Sequence, residues 1–454
     1  MFSFLSHLDR SNLGNARVAG LQQALGMSDN EFSIALTITF VPYILAEIPT
    51  SLLLKRVGGN IMIPLLVTVW GIVTTFQGSV DKFLTSRKKK ISTEYIFLSH
   101  IGGIYPAIVL YLSNFYKREE LQIRIAIFSS SASLSGAISG LLAYWLIKMD
   151  GLRGIPGWGW IFIIEGIFTT LFGLFGFLVF PLSPSTCRFL TPKQRKILAT
   201  RIEKSRPGVA VEEEEHFAWS QVWKAYKSPH VLLTSLALFM TGTNLYSLAY
   251  FQPTIIQSLG YSSSSTQLIS VPPFAAGFLA MILTSYLSDR FRARGLTAVL
   301  CATLGLLGYL LYFFSPTHSS RYASLFLSTV GIYSVSPTLY AWLANNSTPH
   351  YRKAAAIALG PVSANSGGIL STWLFSSSEK PDYRTGITVN LVFSGGIIIL
   401  CMTNLFWLNY NNKVKKKDRE NPHSKVGGVQ SFEAPPLLAW EVLGDRHPEF
   451  IYAY

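Results

Sequence analysis

The chain alternates long apolar stretches with short polar ones, so its hydrophobic residues come in blocks and not as the one-sided stripe of a surface helix. A spanning helix needs about 20 apolar residues to cross the hydrocarbon core. Stretches near 32–54, 60–80, 96–116, 123–147, 158–181, 230–257, 266–288, 296–314, 322–344, 354–376 and 386–409 meet that need. Residues 1–20 supply a twelfth, partial span, whose short apolar lead is interrupted by Asp9 and Arg10. It reads as the last half of a helix, with a re-entrant or interfacial start as the alternative. The longest polar stretch, 182–229, carries the solvated run Glu212–Glu215 and divides the chain. The pattern predicts an all-α membrane protein of about twelve helices with a truncated first one. Residues 1–181 and 230–409 form two six-helix halves, joined by a linker over 182–229 and followed by a tail over 410–454.

Composition agrees with lipid as the solvent. Hydrophobic residues make up 49% of the chain and charged ones 14%, against roughly a quarter charged in soluble domains; the mean hydropathy is +0.34. The formal charge of +14 does not indicate nucleic acid, because the basic residues sit between apolar blocks and not on one soluble face. They collect in alternate loops: at Lys55 and Arg56, at Lys117, Arg118 and Arg124, between Arg188 and Lys227, at Arg290, Arg292 and Arg294, at Arg352 and Lys353, and in the tail. By the positive-inside rule those loops and both termini face the cytoplasm. Residues 81–94, with Lys82, Arg87, Lys88, Lys89 and Lys90, put a basic cluster in an outward loop and break the rule. Cys187, Cys301 and Cys401 are isolated, which suggests neither disulfides nor a metal site. The N-terminus lacks the regions of a cleavable signal peptide. Asn345-Asn346-Ser347-Thr348 matches a glycosylation pattern but falls on the cytoplasmic side, so no glycan is expected there.

The two halves echo each other. SLLLKRVGG at 51–59 follows the second span as SYLSDRFRARG at 285–295 follows the eighth, with Ser51, Lys55 and Arg56 in register with Ser285, Asp289 and Arg290. SSSASLSGAISG in the fifth span likewise resembles SANSGGILS in the eleventh. A parallel repeat of six helices is the internal symmetry of the major facilitator fold, with its binding site between the halves. The strings LDRSNLGNA at 8–16, AEIPTSLLLKR at 46–56, GIYPAIVLYLSNFY at 103–116, GWGWIFIIEG at 157–166, QPTIIQSLGYS at 252–262 and GDRHPEF at 444–450 carry a closer likeness. On these the chain resembles the major facilitator superfamily, and within it the fungal allantoate permease group of the anion:cation symporters. The resemblance implies proton-coupled uptake of a small carboxylate or vitamin at the plasma membrane, such as allantoate, nicotinate, pantothenate or biotin. It implies no cofactor beyond the proton gradient, no covalent catalysis and a monomer in the lipid bilayer.

Asp9 and Arg10 are adjacent ionisable residues in a spanning segment, where each costs about 2.5–3.5 kcal/mol near the centre unless it meets a cavity or a partner. The arginine suits an organic anion and the aspartate a proton; a helix end at the headgroups is the alternative. Asn12 shares the face of Asp9. Asn244, Tyr250 and Gln252, ahead of Pro253, are further substrate candidates, as are Tyr333, Tyr340 and Asn365, with helix packing as the competing role. Asp289, Arg290, Arg292 and Arg294 match the family's gating-loop motif, whose first-half copy at Lys55, Arg56 and Gly58 lacks the acid. Gly136 and Gly140 form a GxxxG suited to close helix packing. The family places an Arg and then a Glu in the fourth helix, where this chain has Glu94 and Ile101. That departure adjoins the aberrant 81–94 and reads either as a faulty gene model or as true divergence. It leaves two alternatives to transport: a nutrient sensor without flux, and an inactive product of a truncated or mis-spliced gene.

Overall fold

The computed structural model describes residues 2–79, 108, 111, 115, 118–181, 187, 189–205, 219–315, 317–348, 350–420, 445, 447 and 450–453. The expected fourth span, the segment 81–94, Glu94 and Ile101 lie outside the described residues, apart from isolated positions in the span. Five long helices precede the polar stretch: α1 (Phe2–Val18), α2 (Asp29–Val57), α3 (Gly59–Gln77), α4 (Arg118–Leu146) and α5 (Gly157–Val179). Two shorter ones, α6 (Pro192–Ser205) and α7 (Trp219–Tyr226), lie in it. Six more follow: α8 (Pro229–Ser258), α9 (Ser263–Phe291), α10 (Arg294–Phe314), α11 (His318–Asn345), α12 (His350–Ser371) and α13 (Arg384–Glu420).

Among the described residues seven helices are both long and apolar enough to cross a membrane. Helix α1, with 17 residues, is shorter than these, and α11 mixes more polar residues into its length. The reason is visible in burial. Helix α10 turns Leu296, Leu300, Leu307 and Phe314 outward as a lipid-facing stripe, whereas α11 buries Ser324, Ser328, Thr329 and Ser334 against its neighbours. Caps follow local chemistry: the Ser262 hydroxyl accepts from the backbone N–H of Ser265 to start α9, and Thr317 does the same for Ser320 at α11.

Among the described residues α8 to α13 pack mainly among themselves, and the first five helices meet them chiefly where α4 lies on α9, α1 on α8 and α2 on α12. The glycines of α4 permit the first. A side chain at Gly140 would come within 2.9 Å of the Gln267 carbonyl, and one at Gly136 equally close to the Phe274 ring. A side chain at Gly14 of α1 would meet the Tyr250 carbonyl of α8 at 2.5 Å.

At the end that carries the α1–α2 connection the two groups are laced together. Gln267 donates to the Asn15 carbonyl at 3.1 Å and Ser263 to that of Val18 at 3.1 Å. Ser33 donates to the Thr372 carbonyl at 2.7 Å, and the Trp373 indole to the Thr37 hydroxyl at 3.0 Å. Asp29 pairs with Arg17 at 3.2 Å and accepts from the Ser377 backbone N–H at 2.7 Å. Deeper in, Ser133 donates to the Phe274 carbonyl at 2.7 Å.

At the opposite end the last helix runs on to Glu420, and the chain's final described residues return to it. Asp445 makes a buried ion pair with Arg352. Lys415 donates to the Phe450 carbonyl at 2.9 Å and sits 3.7 Å over the Tyr452 ring. Trp342 and Asn346 both donate to the Ala453 carbonyl at 2.9 Å. The strap therefore ties the end of α11, the start of α12 and the extension of α13 together.

Candidate functional site

The site begins with Asp9 on α1. Its residue is 7% exposed, and among the described residues its carboxylate meets only neutral donors, the Trp70 indole and the Thr74 hydroxyl. It borders a cavity of about 40 Å³ walled by Tyr43 of α2, Trp70 and Thr74 of α3, Phe162 of α5 and Tyr250 of α8. Helices from both groups thus close on one carboxylate. That volume accommodates about three waters.

One turn after Asp9, Asn12 donates through Nδ2 to Glu165 Oε2 at 2.5 Å. Glu165 sits on α5 and is 3% exposed. Its other oxygen, the Asn12 carbonyl oxygen, the Thr169 hydroxyl and the Trp158 indole N–H are all buried without a partner. Buried polar groups of this kind are costly unless hydrated or protonated. The α1–α5 contact is therefore a polar seam inside an otherwise apolar group. Sequence reasoning used the string around Glu165 only as a family signature; the available signal was a lone acid in a helix otherwise free of charge.

The structure places the predicted residues unevenly. Arg10 lies in α1, but its side chain is outside the described residues. Tyr250 reaches the Asp9 cavity and stacks on Tyr246 with centroids 6.0 Å apart. Asn365 accepts from the Tyr246 hydroxyl at 2.7 Å, which links it to the same aromatic wall. Tyr333 is buried with its ring edge-on to Phe274 at 5.9 Å. Asn244 donates to the Ser394 hydroxyl of α13 at 3.1 Å. Gln252 accepts from Thr329 at 3.0 Å and faces the Ser270 carbonyl at 3.4 Å. These two amides tie helices to one another within the α8–α13 group. Tyr340 packs beside Gly360, in the cluster built around Trp342 and Leu339.

In the loop between α9 and α10, Arg294 pairs with Asp289 at 3.1 Å and Arg290 donates to the Tyr286 hydroxyl at 3.2 Å. Arg292 ends α9 in the left-handed region at φ 52°. The acid thus grips the first turn of the next helix across a tight corner. The side chains of Lys55 and Arg56, the first-half copy, lie outside the described residues.

The sequence and the fold both have known counterparts. The model of the Major Facilitator Superfamily matches residues 1–372. An uncharacterised transporter of Schizosaccharomyces pombe is 34% identical over 415 residues, covering 91% of this chain and 81% of that protein. The high-affinity nicotinic acid transporter of Saccharomyces cerevisiae is 29% identical over 461 residues, covering 100% of this chain and 82% of the other. Among solved structures, a D-xylose–proton symporter aligns with a TM-score of 0.65 at 13% identity, over 88% of this chain and 96% of that one. A bacterial homologue of the lysosomal transporter Spinster aligns with a TM-score of 0.64 at 15% identity, over 89% and 93%. With the family match over most of the chain and the same all-α multi-spanning architecture, this chain belongs to the Major Facilitator Superfamily and is a secondary transporter embedded in a membrane.

Proposed function

We propose that the protein carries a small organic anion across the plasma membrane by proton-coupled symport, with α1–α5 and α8–α13 rocking about a central site. The observation that carries this reading is Asp9, a buried carboxylate at a small cavity lined by helices of both groups, with only the neutral Trp70 and Thr74 side chains for partners among the described residues. Such a group is stable there as the neutral acid and is hydrated when the site opens, so it gains and loses a proton as access alternates. Arg10, its neighbour in sequence, supplies the positive charge for a carboxylate cargo. The nicotinic acid transporter among its relatives favours a carboxylate of that size.

Orientation follows from charge. With the basic loops on the cytoplasmic side, the laced α1–α2 end faces outward, and the Asp289–Arg294 corner and the C-terminal strap face the cytoplasm. Here the outer path is shut, and opening it requires the Asp29 and Gln267 contacts to part.

The test is uptake of labelled nicotinate, pantothenate and allantoate by proteoliposomes, with and without an inward proton gradient. Gradient-driven accumulation of at least one is expected, and Asp9→Asn is expected to abolish the stimulation by the gradient. Accumulation of none of the three, or stimulation that survives the substitution, overturns the reading.

A further inference from the structure

Two buried acids, not one, lie in the α1–α5 seam. Asn12 fixes Glu165 through its amide at 2.5 Å; Asp9 stands one turn earlier on the same helix face and within electrostatic reach of Glu165. Among the described residues Asp9 meets only the neutral Trp70 and Thr74 side chains, one Glu165 oxygen has no hydrogen-bond partner, and neither acid has a cation paired with it. Among the described residues, the titratable groups that face Asp9 across the cavity are Tyr43 of α2 and Tyr250 of α8, while α3 contributes the neutral Trp70 and Thr74. Helix α4 contains no titratable residue from Phe128 to Ala143.

We propose that Asp9 and Glu165 form one proton-binding pair, in which Glu165 acts as a positioning residue that sets how tightly the coupling proton is held. Two carboxylates in one dry seam cannot both be ionised, because each negative charge opposes the other with little solvent to screen it. The last proton therefore belongs to the pair and leaves only when the seam is hydrated. Asn12 offers its N–H to Glu165, which favours the ionised form of that acid and eases release. Both helices belong to the same group, so the pair travels intact as access changes.

This inference rests on Asp9 being the coupling site, and its experiment is chosen to separate the two. The carboxylic C=O stretch of the purified full-length protein in lipid is followed by infrared spectroscopy across a pH titration, without any cargo. A band lost on titration is expected in the native protein, and in Asp9→Asn, where Glu165 is left alone, a weaker one lost at lower pH. In Glu165→Gln, which keeps an acceptor for Asn12, that loss is expected at least about one pH unit lower. In Asn12→Ala it is expected at higher pH, opposite in sign, which a merely structural role does not produce. Coincident titrations of the native protein, Glu165→Gln and Asn12→Ala overturn the pair. If Asp9→Asn keeps its gradient-stimulated uptake, the coupling reading falls instead, whatever the infrared titration gives.

Discussion

At the scale of single residues, what was legible in the sequence was the exception: a charged or amide side chain where lipid demands apolar ones. Asp9 and Asn12 announced themselves in this way, and the structure buries both at one seam. Glu165 obeyed the same rule yet was hidden by a repetitive apolar context, since its partner lies 153 residues away and no spacing in the chain connects them. Asn244 and Gln252, ahead of Pro253, combine that position with a packing role: Asn244 donates to Ser394 while its oxygen is left without a partner, and Gln252 is engaged by Thr329 and Ser270. A buried amide that bridges helices contributes through both of its ends. Gln252→Leu is therefore expected to leave the Thr329 hydroxyl and the Ser270 carbonyl short of a partner, at about 1–3 kcal/mol. Thermal unfolding of the detergent-solubilised protein checks this: a melting temperature equal to the native one shows that the amide holds nothing together.

At the scale of helices, the apolar blocks predicted most elements to within a few residues, because crossing a membrane constrains length and hydropathy together. Helix ends were less legible. Helix α13 continues to Glu420, beyond its apolar stretch, since Lys415 and Asn412 are held by the returning strap and not by lipid. The GxxxG of α4 was readable as a packing motif, though its partner was not; the structure shows it to be α9. Two substitutions separate the consequences of close approach. Gly140→Leu places a large side chain in the α4–α9 contact between the groups and is expected to leave the protein at the cell surface while reducing uptake at least about tenfold, equivalent to about 1.4 kcal/mol. Gly242→Val, within the α8–α12 contact where a Cβ meets the Ala364 carbonyl at 2.1 Å, is expected to deplete the folded protein itself. Surface biotinylation beside uptake distinguishes the two, and normal surface levels for Gly242→Val contradict the packing argument.

At the scale of the whole molecule, the two ends are built differently. The strap end holds a buried ion pair, Arg352–Asp445, inside one group. Asp445→Ala removes the ion pair and is expected to destabilise this end, visible as a lower melting temperature and as easier proteolysis after α13. An unchanged melting temperature shows the strap to be idle. At the other end Asp29 joins Arg17, Gln22 and Ser377, so this acid spans the seam between the groups there. Asp29→Asn is expected to favour the open form. A Ser263→Cys reporter, beside the Val18 carbonyl, then reacts several-fold faster with a membrane-impermeant maleimide; an equal rate with and without the Asp29 change rejects the latch. The three native cysteines are buried, which keeps the background low.

Apart from Asp29 and Arg17, the described lacing consists of hydroxyl, amide and indole donors resting on neutral oxygens such as those of Asn15, Val18 and Thr372. Water offers each of them a nearly equivalent bond, so every contact contributes only about 0.5–1.5 kcal/mol net. A seal of this kind is watertight without being deep: it yields stitch by stitch to modest driving forces, and leaves the choice of direction to whatever occupies the middle.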